Sequence, residues 1–145
     1  MEMNRILVLN GPNLNMLGIR EPEIYGTGTY RELEENIRTW AKELNLEVQI
    51  IQSNHEGDII DAIQAAYKRI DGIIINPAGY THTSVAIADA LKAVGIPTVE
   101  VHLSDPDTRE DFRKVSYIRP VCRATVKGKG FLGYKEALQI LTCCR

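Results

Sequence analysis

Residues 6–29 read ILVLNGPNLNMLGIREPEIYGTGT, and the order of properties along them decides the fold. Ile6 to Leu9 is an unbroken apolar run. Thr29 and Glu32 have the spacing of a capping box, in which two side chains satisfy free donors at a helix start. A strand, a connection over residues 10–28 and then a helix open a βαβ unit. Such connections ordinarily hold about two to six residues, so this one is expected to be a lid or binding loop. It carries Asn10, Asn13 and Asn15, one cation at Arg20 and one phenol at Tyr25, with Gly18, Gly26 and Gly28 as flex points. A disordered surface loop is the competing reading.

Outward from this stretch, apolar periodicity alternates regularly. Leu33, Ile37, Trp40 and Leu44 follow at helical spacing, and Asn45 ends that helix. A strand over 47–53 leads into a helix carrying Ile59, Ile60, Ile63, Tyr67 and Ile70. Ile73-Ile74-Ile75 is apolar on both faces, as in the centre of a parallel sheet. A helix from about Thr83 to Gly95, a strand over 98–103, a short charged helix over 108–115 and a strand over 121–126 follow. A last helix carries Tyr134, Leu138 and Leu141. Five alternations predict a flavodoxin-like, doubly wound α/β fold with a five-stranded parallel sheet in the order 2-1-3-4-5. The 145 residues fit one domain spanning 1–145.

A net charge of −2 and 25% charged residues give no footprint for nucleic acid or a membrane surface. No apolar run approaches a membrane span, and the start of the chain carries no signal-peptide pattern, so a cytoplasmic protein is expected. Cys122, Cys143 and Cys144 lack CxxC spacing and read as free thiols.

In this strand order the switch point lies between strands one and three, and ligands bind outside the C-terminal strand ends there. Asn13, Arg20, Tyr25, Asn76, His82, His102, Ser104, Arg109 and Arg113 collect at that edge. GxGxxG and GxxxxGK[ST] are both missing, which weakens dinucleotide and P-loop readings. A flavin site lacks its hydroxyl-rich loop after strand one, and a phosphoacceptor site lacks its aspartate, Asn76 standing there instead. His55, His82 and His102 have no carboxylate frame for a metal, and His55 belongs to a helix start elsewhere. No lysine lies in an apolar strand where desolvation would suit it to imine chemistry. A non-catalytic ligand-binding domain would keep Ser104 and Arg113 but has no use for Arg20 and Tyr25 together. Proton transfer remains. A phenol serves as a base only when a cation favours its phenolate, and Arg20 is five residues from Tyr25. Glu100 precedes His102 by two, hence on the same strand face, where a carboxylate orients the imidazole and keeps it protonated.

NGPNLNMLGIREPEIYG (10–26), QSNHEGDIID (52–61), INPAGYTHTSVA (75–86), VEVHLS (99–104) with RE-x-F-R (109–113), and GYKEAL (133–138) resemble the type II 3-dehydroquinate dehydratases. The resemblance implies a lyase without cofactor or metal that converts 3-dehydroquinate to 3-dehydroshikimate and water. The reaction is an anti elimination through an enolate, serving shikimate synthesis or quinate breakdown. It also implies a homo-oligomer, a dodecamer built from trimers. Tyr25 resembles the family's base, Arg20 the arginine that activates it, and Asn13 the residue that stabilises the enolate through a water. His102 resembles the acid, oriented by Glu100. Asn76, His82, Leu103, Ser104 and Arg113 resemble the substrate-binding set, and Asp89 a residue reaching into a neighbouring subunit's site. Asp105, Thr108 and Arg119 depart from the family pattern, and Asp105 is expected to add negative charge beside an anion site.

Overall fold

The computed structural model of the protein describes residues 3–19 and 21–143. Its strands are β1 (Arg5–Asn10), β2 (Glu47–Gln52), β3 (Gly72–Asn76), β4 (Thr98–His102) and β5 (Ala124–Lys127). They form one parallel sheet in the expected order, β2-β1-β3-β4-β5. The helices are α1 (Pro22–Tyr25), α2 (Tyr30–Glu43), α3 (Glu56–Ala65), α4 (Val85–Val94) and α5 (Leu132–Cys143).

Successive strand side chains point to opposite faces, so each strand feeds two cores. Ile6, Val8, Ile74, Val99 and Val101 pack with Leu33, Ile37, Leu138 and Leu141 of α2 and α5. Leu7, Leu9, Ile73 and Ile75 pack with Ile59, Ile63, Ile87 and Leu91 of α3 and α4. β3 is buried along its whole length, the physical meaning of its unalternating isoleucines. Each such side chain contributes about 1.5–3 kcal/mol relative to exposure.

The capping box at α2 is formed, with Thr29 accepting from the Glu32 amide and Glu32 accepting from the Thr29 amide. The described residues between 10 and 28 do not form the disordered surface loop of the competing reading. Leu14–Met16 make a 3-10 turn, α1 follows, and Leu14 and Leu17 are buried in the core beneath α2 and α5.

Four elements differ from the sequence expectation by two residues or more. α3 ends at Ala65 and Lys68 turns left-handed (φ 63°), which swings Tyr67 into solvent, 53% exposed, rather than onto the apolar face. α4 starts at Val85 because Ser84, not Thr83, caps it by accepting from the Ile87 amide at 3.0 Å. The helix expected over 108–115 is two 3-10 turns, Pro106–Thr108 and Asp111–Lys114. β5 begins at Ala124 because Arg119–Val121, with Pro120 inside it, forms another such turn.

At the switch point the exits of β1 and β3 touch. The Gly11 amide donates to the Asn76 carbonyl at 2.8 Å, and a Cβ on Gly11 would stand 2.6 Å from the Pro77 oxygen. Only glycine permits that approach, after which the two loops diverge.

Candidate active site

A cleft of about 220 Å³ opens above this divergence, lined by side chains from the loops after β1, β3 and β4. α1 brings in Tyr25, half-buried, from the connection after β1. An arginine from the segment after β4 meets it. Arg109 Nη1 donates to Tyr25 Oη at 2.8 Å, and the guanidinium carbon stands 5.2 Å from the ring centroid. Arg109 also approaches Ser104 Oγ, at 3.5 Å.

His102 closes the end of β4. Its Nε2 bonds to Glu100 Oε2 at 2.5 Å, which leaves Nδ1 as the nitrogen not held by the carboxylate. Glu100 is completely buried, and Thr81 Oγ1 donates to it at 2.5 Å. Ser116 and Thr125 hydroxyls lie 3.4 Å away. Burial alone would raise the Glu100 carboxyl, but the His102 bond and charge, the Thr81 hydroxyl and the Arg119 charge together hold it below the ordinary carboxylate value.

His82, in the 3-10 turn Ala78–His82, hydrogen-bonds the Val115 carbonyl through Nδ1 at 2.7 Å. A carbonyl only accepts, so Nδ1 carries the hydrogen and Nε2 faces away from that bond. Desolvation lowers the His82 pKa, the Val115 bond opposes the shift, and the positive neighbours His102 and Arg113 add to it.

Two non-glycine residues of the cleft have left-handed backbone, Asn13 (φ 71°) and Ala78 (φ 52°). Asn13 is held there by its amide donating to Asn54 Oδ1 at 3.0 Å, and Ala78 by its amide donating to Asn76 Oδ1 at 3.1 Å. Such conformations cost about 1–3 kcal/mol each and persist where the surroundings over-determine them. Leu103, Ser104 and Arg113 complete the wall.

The profile of the family described as dehydroquinase class II matches residues 4–142. The chain belongs to that family. It is 54% identical over 137 residues to the 3-dehydroquinate dehydratase of Clostridium acetobutylicum, covering 94% of this chain and 95% of that protein. Identity to the 3-dehydroquinate dehydratase of Fusobacterium nucleatum is 57% over 140 residues, with 94% and 95% covered. The crystal structure of type II dehydroquinase from Butyrivibrio crossotus superposes with a TM-score of 0.94 at 51% identity, covering 96% of this chain and 97% of that one.

Against this dehydroquinase frame, the cleft gathers Asn13, Tyr25, Asn76, His82, His102, Leu103, Ser104 and Arg113 of the residues expected from sequence, with Glu100 directly behind His102. Arg20 lies outside the described residues. Asp89 is exposed on α4 and does not line this chain's cleft. Asp105 turns away from its expected part as a stray negative charge. It caps the turn Pro106–Thr108 by accepting from the Asp107 amide at 3.0 Å, and Lys127 pairs with both Asp105 and Asp107. Thr108 joins the same turn, donating to the Asp105 carbonyl at 2.8 Å. Arg119 lies 4.0 Å from Asp107, with its buried Nε unpartnered.

Sequence reasoning placed Arg109 on the right edge without a role, because 84 positions separate it from Tyr25. Thr81 and Ser116, which surround Glu100, carried no signal beyond being small and polar. Among the described residues no group of three or more His, Cys, Asp or Glu side chains gathers as a metal site. No described helix is long and apolar enough to cross a membrane. The half-buried Cys122 thiol, desolvated and near Glu100, is pushed up to about 12, while Cys143 is exposed.

Proposed function

We propose that this protein is a 3-dehydroquinate dehydratase of the type II class, removing water from 3-dehydroquinate by anti elimination. The observation that carries the reading is the pair of opposed dyads in one cleft, Tyr25 with Arg109 and His102 with Glu100. An anti elimination needs a base on one face of the substrate ring and an acid on the other, and Tyr25 comes from the loop after β1 while His102 stands at the end of β4. The close identity to the named dehydratases of Clostridium acetobutylicum and Fusobacterium nucleatum supports the substrate.

Tyr25 Oη takes the proton alpha to the ketone, and the electron pair moves into the carbonyl to give an enolate. Arg109 stabilises the phenolate that does this by donating to its oxygen, and Arg20 is assigned the same electrostatic task. Asn13 stabilises the enolate oxygen through a water. The enolate then expels the hydroxyl, which leaves as water with the proton of His102. Glu100, ionised and held by its hydroxyl donors, fixes the imidazole for this step. Asn76, His82, Leu103, Ser104 and Arg113 bind the substrate, Arg113 supplying charge for its carboxylate. No cofactor or metal has a part in this scheme. The working form is a cytoplasmic homo-oligomer, a dodecamer of trimers, in which Asp89 from an exposed face of α4 completes the cleft of a neighbouring copy.

The test is direct. Purified protein mixed with 3-dehydroquinate should generate the ultraviolet absorbance of a conjugated enone, with chelator present and after borohydride treatment with substrate. Absence of that absorbance would sink the reading, and light scattering at a monomer's mass with full activity would remove the assembly from it.

A further inference from the structure

Beneath the cleft, four polar side chains meet in the core. Asn10 ends β1, Asn76 ends β3, Tyr134 comes from the first turn of α5 and Tyr30 from the first turn of α2. Asn10 and Tyr134 have no exposure, and Asn76 is 3% exposed. The tyrosine ring alone would fill the space it occupies among the core side chains of α2 and α5. Its hydroxyl is costly to bury unless bonded, so its presence calls for a reason that packing does not supply.

The bonds run in one consistent direction. The Ala78 amide can only donate, so the atom it meets at 3.1 Å is Asn76 Oδ1. That turns Nδ2 toward Tyr134, whose Oη it reaches at 3.0 Å. The Tyr134 hydroxyl hands its own proton to Asn10 Oδ1 at 2.7 Å. Asn10 Nδ2 in turn donates to Tyr30 Oη at 3.2 Å. Burial raises the Tyr134 pKa, so the hydroxyl keeps the proton on which this polarity depends. Tyr30 stands directly after the lid segment and its cap Thr29, so the chain of bonds joins the root of the lid to the end of β3.

We infer that Tyr134 is a positioning residue that acts through its hydroxyl to lock the Asn76 amide in one orientation. With one N–H given to Tyr134, the other is what Asn76 offers the cleft it lines. Asn76 is thereby set as a donor to a hydroxyl or carboxylate oxygen of the substrate. The Ala78 amide holds Asn76 from its oxygen side and Tyr134 from its nitrogen side, so without the Tyr134 oxygen Nδ2 loses this acceptor and only the single Ala78 bond is left to keep the amide in place. The inference rests on the dehydratase reading for the identity of the substrate and on the buried network for everything else.

Tyr134→Phe keeps the ring and deletes the oxygen. With 3-dehydroquinate, KM should rise about tenfold while kcat stays within about twofold, the pattern of lost uniform binding. In an Asn76→Ala background the same change should add almost nothing to KM, since the residue it acts through is gone. Asn10→Ala, which removes the acceptor that aims the Tyr134 proton, is a second route to the same rise. Tyr30→Phe leaves the Tyr134–Asn76 bond intact and should leave KM near the wild-type value. A substrate-free readout separates this from the functional reading: the Asn76 side-chain amide signals in a nitrogen-15 NMR spectrum should shift and broaden in Tyr134→Phe. A wild-type protein inactive on 3-dehydroquinate would end the dehydratase reading, and the amide signals would still judge the hub. Equal KM factors in both backgrounds, or an unmoved Asn76 amide in Tyr134→Phe, would overturn the inference.

Discussion

Two depressions among the described residues invite comparison, one near the start of β1 and one at the C-terminal strand ends. One, about 330 Å³, lies between β2, the start of β1 and the end of α3, lined by Arg5, Glu47, Ala62, Ala65, Ala66 and Arg69 among others. The other, about 220 Å³, is the cleft above β1, β3 and β4. The larger one holds no histidine, tyrosine or asparagine, and its charges belong to exposed side chains. Arg5 and Glu47 pair at 3.4 Å with 61% and 81% of their side-chain surface in solvent. The smaller one holds Tyr25, His82, His102, Arg109 and Arg113 around a completely buried carboxylate. Size does not separate them; position in the topology does. At the C-terminal strand ends the loops after β1 and β3 must part, and each carries side chains toward one volume. At the other end the chain merely re-enters the sheet.

The comparison is broken most sharply at Tyr25. Tyr25→Phe should lower kcat by about a thousandfold or more while ligand affinity changes little, because the atom that takes the proton is gone. A near-normal kcat would return the base role to a histidine. Next is Arg109→Ala, expected to cost about a hundredfold in kcat through loss of the donor on Tyr25 Oη, with Arg109→Lys recovering only part. The Arg109 and Tyr25 variants combined should be little worse than the poorer single, as for groups acting as one unit. Arg20→Ala made in parallel tells whether one cation or two serve the phenol.

Glu100→Gln sharpens the contrast through stability. Replacing a buried, hydrogen-bonded carboxylate costs about 3 kcal/mol at neutral pH. The Glu100 carboxyl titrates below its unfolded value, so its contribution is complete above about pH 4.3 and is lost as pH falls through the lower folded value. Urea melts of the wild type and the variant should therefore converge in acid, and a gap that stayed constant to low pH would count against an ionised Glu100. His82 has the opposite chemistry, a cation disfavoured by burial, so its NMR titration midpoint should fall below 6.5, and stability linked to it should weaken as pH drops below that value. The smallest effect belongs to the larger depression. Arg5→Ala should change stability by no more than about 1 kcal/mol and leave kcat unaltered. A large loss of activity there would undo the distinction between the two ends.

Much of this was legible without coordinates. The isoleucine run of β3, the capping box of α2 and the alternation of periods determined layers, order and the edge where the cleft opens, because burial and helix capping act over a few neighbouring residues. Glu100 and His102 could be paired for the same reason, since two residues apart on a strand is one face. What only the tertiary structure decided are contacts between distant segments. Proximity in the chain could set Tyr25 beside Arg20, which lies outside the described residues, but not beside Arg109, whose bond to Tyr25 depends on the turns after β4. Asp105 read as a charge beside an anion, and became a turn cap once Lys127 from β5 stood next to it. Asn10 and Tyr134 are 124 positions apart and share a hydrogen bond only because α5 packs back under the ends of β1 and β3. Local chemistry is written in the order of residues; which hydroxyl meets which amide depends on how whole layers close, and periodicity carries no record of that.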